Sequence, residues 1–159
     1  MDLDRYDLLL LDALQQNGGL SNLELAERIG LSPSPCSRRV KRLEEQGLIR
    51  RRVTLLDQAR LGLTLTAFIQ ISMDRHTPER FAHFEAKVRD YPEVLECYLI
   101  TGQAADYLLK VVAPDMEAYR AFLLEKITRI EGVSGVHSSF VLTRVAERTA
   151  LPLGHLRRA

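Results

Sequence analysis

The hydrophobic period of this chain changes at Gly47, and that change limits the available folds more than any other feature. Before it, apolar residues recur at helical spacing. In "DRYDLLLLDALQQNGG", Asp4 can cap a helix that carries Tyr6, Leu10, Leu11 and Leu14, and Gly18-Gly19 stops it. Ser21 followed three residues later by Glu24 forms a capping-box pattern ahead of Leu25, Ala26 and Ile29, and Gly30 ends that second helix. A third helix is expected from about Pro33 or Pro35 to Gln46, closed by Gly47. Prolines in a first turn sacrifice no helical hydrogen bond, so Ser32 and Ser34 both remain possible caps.

Beyond Gly47 the pattern alternates. "LIRRRVTLL" (48–56) and "LTAFIQISM" (65–73) read as strands, the second with Leu65, Ala67, Ile69, Ile71 and Met73 on one side. Thr77-Pro78-Glu79 starts a helix with Phe81, Phe84 and Val88 on a common face. Strands follow over 94–101 and 106–113, joined by a glycine loop. A helix then starts at Pro114-Asp115 with Tyr119, Phe122, Leu123, Ile127 and Ile130 facing inward, and a last strand covers 135–145. The order β-α-β-β-α-β predicts an α+β ferredoxin-like domain, with two helices over one face of an antiparallel sheet. Phe68 and Ile69 are neighbours on one strand and cannot both face the helices, so self-association is expected on the bare face. The expected layout is a winged helix-turn-helix over 1–50, a linker strand and hinge over 51–64, the sheet domain over 65–146, and a tail over 147–159.

The overall formal charge is only +1, but residues 28–52 hold eight basic residues against Glu44 and Glu45. A single-sign block in a near-neutral chain points to a local polyanion site. On the third helix, Cys36, Val40 and Leu43 form the buried stripe, and Ser34, Ser37, Arg38 and Lys41 point outward with Arg42 flanking. A helix entering the major groove offers its N-terminal residues to base edges. Arg38 suits guanine O6 and N7, while Lys41 and Arg42 suit phosphate. The arginines of "RRRV" would form a small wing against the backbone. The expected DNA face comprises Ser21 and Asn22, then Ser32, Ser34, Ser37, Arg38, Arg39, Lys41 and Arg42, and finally Arg51. A basic dimerisation module is the plainer alternative. Cys36 has no His or Cys at metal spacing, so no metal and no cofactor is expected.

The stretches "GLSPSPCSRRVKRLEEQGLI" and "ECYLITG…DYLLKVV" resemble the Lrp/AsnC family, the leucine-responsive or feast/famine regulators. The resemblance covers nearly the whole chain. It implies a transcription regulator that binds double-stranded DNA, pairs into dimers and assembles further into tetramers or octamers. It also implies an amino-acid effector held between effector domains of neighbouring subunits. Carried onto this sequence, the effector site is Leu99, Ile100, Thr101, Gly102, Gln103 and Asp106, with Ser139, Phe140 and Val141 on the last strand. Backbone amides near Gly102 would hold a carboxylate and Asp106 an ammonium, while Leu99 and Phe140 favour a leucine- or methionine-like side chain. One departure stands out: three residues separate Gly102 from Asp106 where the family usually has two. Asp106 also has a structural reading, as a turn cap feeding the next strand.

Other classes weigh less. A siroheme-decarboxylase-like enzyme shares the two-part layout, but His76, His83, His137 and His155 are scattered and no catalytic constellation stands out. An architectural DNA-binding protein without effector is a further alternative. The strand "DYLLKVVA" lacks the glycine-aromatic pattern of an RNA-binding sheet. Two cysteines, no basic segment ahead of an apolar one and no membrane-length apolar run lead to an expected cytoplasmic, non-enzymatic protein.

Overall fold

The computed structural model describes residues 3–102 and 105–157. It divides into two compact units, one reaching to Leu55 and taking up the chain again from Val145, the other running from Leu56 to Arg144.

Among the described residues the first unit holds the α-helices α1 (Arg5–Gln16), α2 (Asn22–Ile29) and α3 (Pro33–Glu45), with a 3-10 turn at Gly154–Arg157 in the tail. Asp4 caps α1 and Ser21 caps α2, each in a reciprocal capping box with the residue three positions on. Gly30 takes φ 73°, a left-handed conformation that a side chain would strain. Its turn closes by Leu31 N–H donating to the Ala26 carbonyl at 2.9 Å. Of the two serines that could begin α3, Ser32 is the cap position, and its side chain makes no capping bond. Cys36, Val40 and Leu43 are buried as the periodicity predicts, against Leu10, Leu25 and Ile29.

The second unit is a four-stranded antiparallel sheet in the order β2-β3-β1-β4, with β1 (Leu65–Met73), β2 (Val94–Leu99), β3 (Tyr107–Ala113) and β4 (Val133–Phe140). Helices α4 (Pro78–Arg89) and α5 (Met116–Glu125) contribute Phe84, Val88, Tyr119 and Phe122 to one core with Ile69, Ile71, Leu109 and Val111. Phe68 is exposed on the opposite face.

Three expectations need correction. No strand forms over 48–56: residues 50–57 run without regular structure and are largely exposed. A strand forms only by laddering with a neighbouring strand, and among the described residues the first unit contains none. The last strand starts earlier than expected and ends at Phe140 rather than 145, because β1, its ladder partner among the described residues, begins at Leu65. Helix α5 stops at Glu125, and Ile127 and Ile130 reach the core by way of a 3-10 turn instead.

Within the first unit the tail returns to α1. The Gln15 side-chain amide donates to the Leu151 carbonyl at 3.0 Å and accepts from the Leu151 N–H at 2.8 Å. Among the described residues, no helix is long and apolar enough to cross a membrane.

Candidate DNA-binding face and effector site

The buried stripe of α3 fixes which side chains it can present. With Cys36, Val40 and Leu43 inward, Ser34, Ser37, Arg38 and Lys41 are exposed along the opposite side. Lys41 leans toward Glu45 at 3.7 Å but stays open to solvent. Arg38 lines a shallow groove with Pro35, Arg39 and Arg42.

Arg39 and Arg42 are both paired with acids of α1, Arg39 partly buried and Arg42 still exposed. Arg39 Nη1 donates to Asp4 Oδ2 at 2.6 Å and to Asp7 Oδ1 at 2.9 Å, and its guanidinium lies 5.6 Å from the centre of the Tyr6 ring. Arg42 Nη2 donates to the other oxygen of Asp7 at 2.5 Å. Asp7 is only 1% exposed, so its charge is tolerated through these two partners. Partial burial works against ionising Asp4, but the Asp7 amide and the Arg39 guanidinium outweigh it and hold the carboxyl below the usual carboxylate range. Asp4 and then Asp7 in turn raise the pKa of Arg39. The sequence reading missed this clamp, because Asp4 at the cap and Asp7 in the first turn of α1 lie more than thirty positions from the arginines they hold.

Other expected contacts also have work inside the fold. The Ser21 hydroxyl accepts from Glu24 N–H, and Asn22 Nδ2 donates to the Pro33 carbonyl at 2.8 Å, tying the start of α2 to the first turn of α3. Ser32 is exposed, and Arg51 lies on the exposed arm beyond α3.

The expected effector residues do not come together within one chain. Leu99 lies on β2 and Phe140 on β4, the two outer strands, with β3 and β1 between them. Three strand spacings amount to about 14 Å. They also divide by face: Leu99 pairs with Tyr107 and Phe140 with Ala67, both on the helix side, whereas Ser139 pairs with exposed Phe68. Phe140 packs its ring edge-on to Tyr119, 5.0 Å between centres. Val141 closes the ladder by donating its N–H to the Thr66 carbonyl at 2.9 Å. Ile100 and Thr101 lead into the loop, and the Ile100 N–H donates to the Asp106 carbonyl at 2.8 Å. Gly102 is exposed, and Gln103 falls outside the described residues.

Asp106 is held on three sides. Its N–H donates to the Ile71 carbonyl at 2.8 Å, its Oδ2 accepts from the Met73 N–H at 2.7 Å, and His76 Nε2 meets its Oδ1 at 2.8 Å. The carboxylate thus joins the end of β1 to the start of β3. No sequence signal pointed to His76, which lies thirty residues upstream.

A cleft of about 380 Å³ opens between α4 and the outer strand β2, lined by Glu85, Val88, Arg89, Val94, Cys97, Leu99 and Tyr107. The Tyr107 hydroxyl donates to Glu85 Oε1 at 2.8 Å, and burial and then Glu85 push that phenol well above its usual range. Cys97 is exposed at the cleft; partial burial, with Glu85 adding to it, pushes its thiol up, so it is not a thiolate near neutral pH. Among the described residues no cluster of three or more His, Cys, Asp and Glu side chains is placed to hold a metal ion.

A helix pair joined by a left-handed glycine, with a basic second helix, followed by an α+β sheet domain, defines a two-domain helix-turn-helix regulator. Two family descriptions match: "Winged helix-turn-helix DNA-binding" over residues 3–50 and "Lrp/AsnC ligand binding domain" over residues 66–151. The chain is 43% identical over 152 residues to the Bkd operon transcriptional regulator of Pseudomonas aeruginosa, covering 96% of this chain and 99% of that protein. It is also 43% identical to the leucine-responsive regulatory protein of Salmonella typhimurium, covering 94% and 91%. Its fold matches a transcriptional regulator from Neisseria meningitidis solved as an L-Met complex, with a TM-score of 0.93 and 44% identity over 98% of this chain and 99% of that one. The chain belongs to the Lrp/AsnC family of transcription regulators.

Proposed function

We propose that this regulator reads duplex DNA with α3 and responds to an amino acid with an apolar side chain, leucine- or methionine-like, bound between copies of the effector domain. The observation that carries the first part is the exposed row of Ser34, Ser37, Arg38 and Lys41 opposite a fully buried seam. Small serines allow close approach, Arg38 suits a guanine edge, and Lys41 and Arg51 suit phosphate. Ser21, Asn22, Ser32, Arg39 and Arg42 border this face.

The opposite placement of Leu99 and Phe140 supports an effector site built from more than one subunit, because one chain cannot close a pocket around both. The exposed sheet face with Phe68 favours a dimer, and assembly to an octamer would bring further edges together. The effector then acts by binding one assembly better than another, which shifts the population that holds DNA. The Neisseria relative's L-Met complex supports an amino acid of this size. This activity is carried out on DNA in the cytoplasm and involves no catalytic step.

Calorimetry with methionine, leucine and polar amino acids, paired with sedimentation of each mixture, tests the sensing claim. Heat from an apolar amino acid together with a change in assembly size is expected. No heat from any amino acid, with an unchanged size, would sink it.

A further inference from the structure

We infer that Asp7 and Asp4 are positioning residues for DNA recognition: they hold Arg42 and Arg39 away from phosphate and so limit the number of charges that α3 presents to DNA. The inference rests on the reading that α3 faces DNA, and it concerns residues of α1 that touch no nucleic acid themselves.

Both oxygens of the buried Asp7 carboxylate are taken by arginines from α3, at 2.9 Å from Arg39 and 2.5 Å from Arg42. Asp4 adds a second anchor on Arg39 at 2.6 Å, and Asp7 Oδ2 also accepts the Asp4 N–H at 3.2 Å. The acids, the arginines and the cap of α1 therefore form one network, and a planar guanidinium donating to two carboxylates is fixed in direction as well as charge. On the other side, Arg38 makes no ion pair among the described residues, and Lys41 is 77% exposed. So α3 carries two kinds of cation, spaced one residue apart in sequence and facing different partners.

Each additional phosphate neutralised by a protein adds about 0.9 to the slope of log affinity against log salt, and this part of binding is blind to sequence. Four unrestrained cations on one helix would raise affinity for every duplex alike. Sequestering two of them keeps non-specific binding low, while Arg38 reads a base edge. The clamp also fixes the pitch of α3 on α1, which aims Arg38 and the serines.

The test is a salt titration of the full-length protein on two duplexes, one of random sequence and one enriched by the parent protein from a random pool. Asp7→Asn is expected to bind the random duplex more tightly and to steepen its salt slope by about one unit, with a smaller gain on the enriched duplex. Asp4→Asn keeps an N-cap side chain of equal quality while removing the charge, so it remains informative if Asp7→Asn does not fold. It is expected to steepen the slope in the same sense by less. The double variant Asp7→Asn/Arg42→Gln should return toward the parental slope. Parental slopes for both acid variants, or weaker binding at unchanged slope, would show a structural clamp only and overturn the inference. So would a double variant as steep as Asp7→Asn alone. Arg38→Ala in the same titration separates the two ideas. If it binds both duplexes as the parent does, the α3 reading itself is wrong; if it loses the enriched duplex while the acid variants keep the parental slope, only the inference fails.

Discussion

The two halves of this molecule assemble their sites in opposite ways. The row proposed to read base edges comes from one short stretch, residues 34–41, because a helix with a buried seam must expose its other side. The effector residues come from two outer strands that the sheet order keeps apart. The row on α3 is in place in a single chain once the helix forms. The second, as proposed, needs another copy, so its affinity should depend on protomer concentration and on assembly. On that proposal the sensing site would form only in the right oligomer, whereas the exposed row of α3 is present in every copy.

The two hydrophobic cores allow that division to be tested, with the largest effect first. Phe84 is fully buried and packs its ring 4.6 Å from that of Tyr107. Phe84→Ala should lower the stability of the effector unit by about 3–5 kcal/mol. Hydrogen exchange is then expected to accelerate at Leu109 and Val111 while Leu10 and Leu43 keep their protection. Leu43→Ala, about 2–5 kcal/mol, should give the mirror image. Equal loss of protection in both units from either variant would mean one cooperative core and would break the comparison.

An intermediate effect tests what Asp106 does. If it served only to receive a ligand ammonium, removing it would leave the empty protein as stable as before. Its bond to the Met73 N–H and its contact with His76 give a different expectation. Asp106→Ala should destabilise the effector unit by about 1–3 kcal/mol without any amino acid, read from the urea midpoint at constant m. His76→Ala should produce part of that loss, since it leaves the Met73 bond in place.

Much of this was legible in the sequence, and the gaps have physical causes. Helix starts were readable because Asp4, Ser21, Thr77 and Asp115 each cap through their own neighbours. The buried alternation of β1 was readable because one face meets helices and the other does not. Residues 48–56 misled because a strand-like pattern says nothing about whether a partner strand exists. The clamp of Asp7 on Arg39 and Arg42 and the contact of His76 with Asp106 join residues about thirty positions apart, beyond any local period. The effector residues were named from a resemblance, and residue order alone hid their separation onto opposite edges.

The smallest expected effect separates two serines that look alike in sequence. Ser21 and Ser32 each stand immediately before a helix and are each followed by a favourable first turn. Ser21 accepts the Glu24 N–H and donates its own N–H to Glu24 Oε2 at 2.7 Å, so both halves of the box are closed. Ser32 makes no capping bond; Pro33 at the first helical position already lacks an N–H, which reduces the number of donors a cap must satisfy. Ser21→Ala should therefore cost the helical unit about 1 kcal/mol, and Ser32→Ala should stay within about 0.5 kcal/mol. Because Ser32 borders the face of α3, its removal should register in DNA affinity more than in the unfolding curve. Equal losses of stability in the two variants would mean that Ser32 does cap α3 in solution, and that it is tied to the fold as firmly as Ser21.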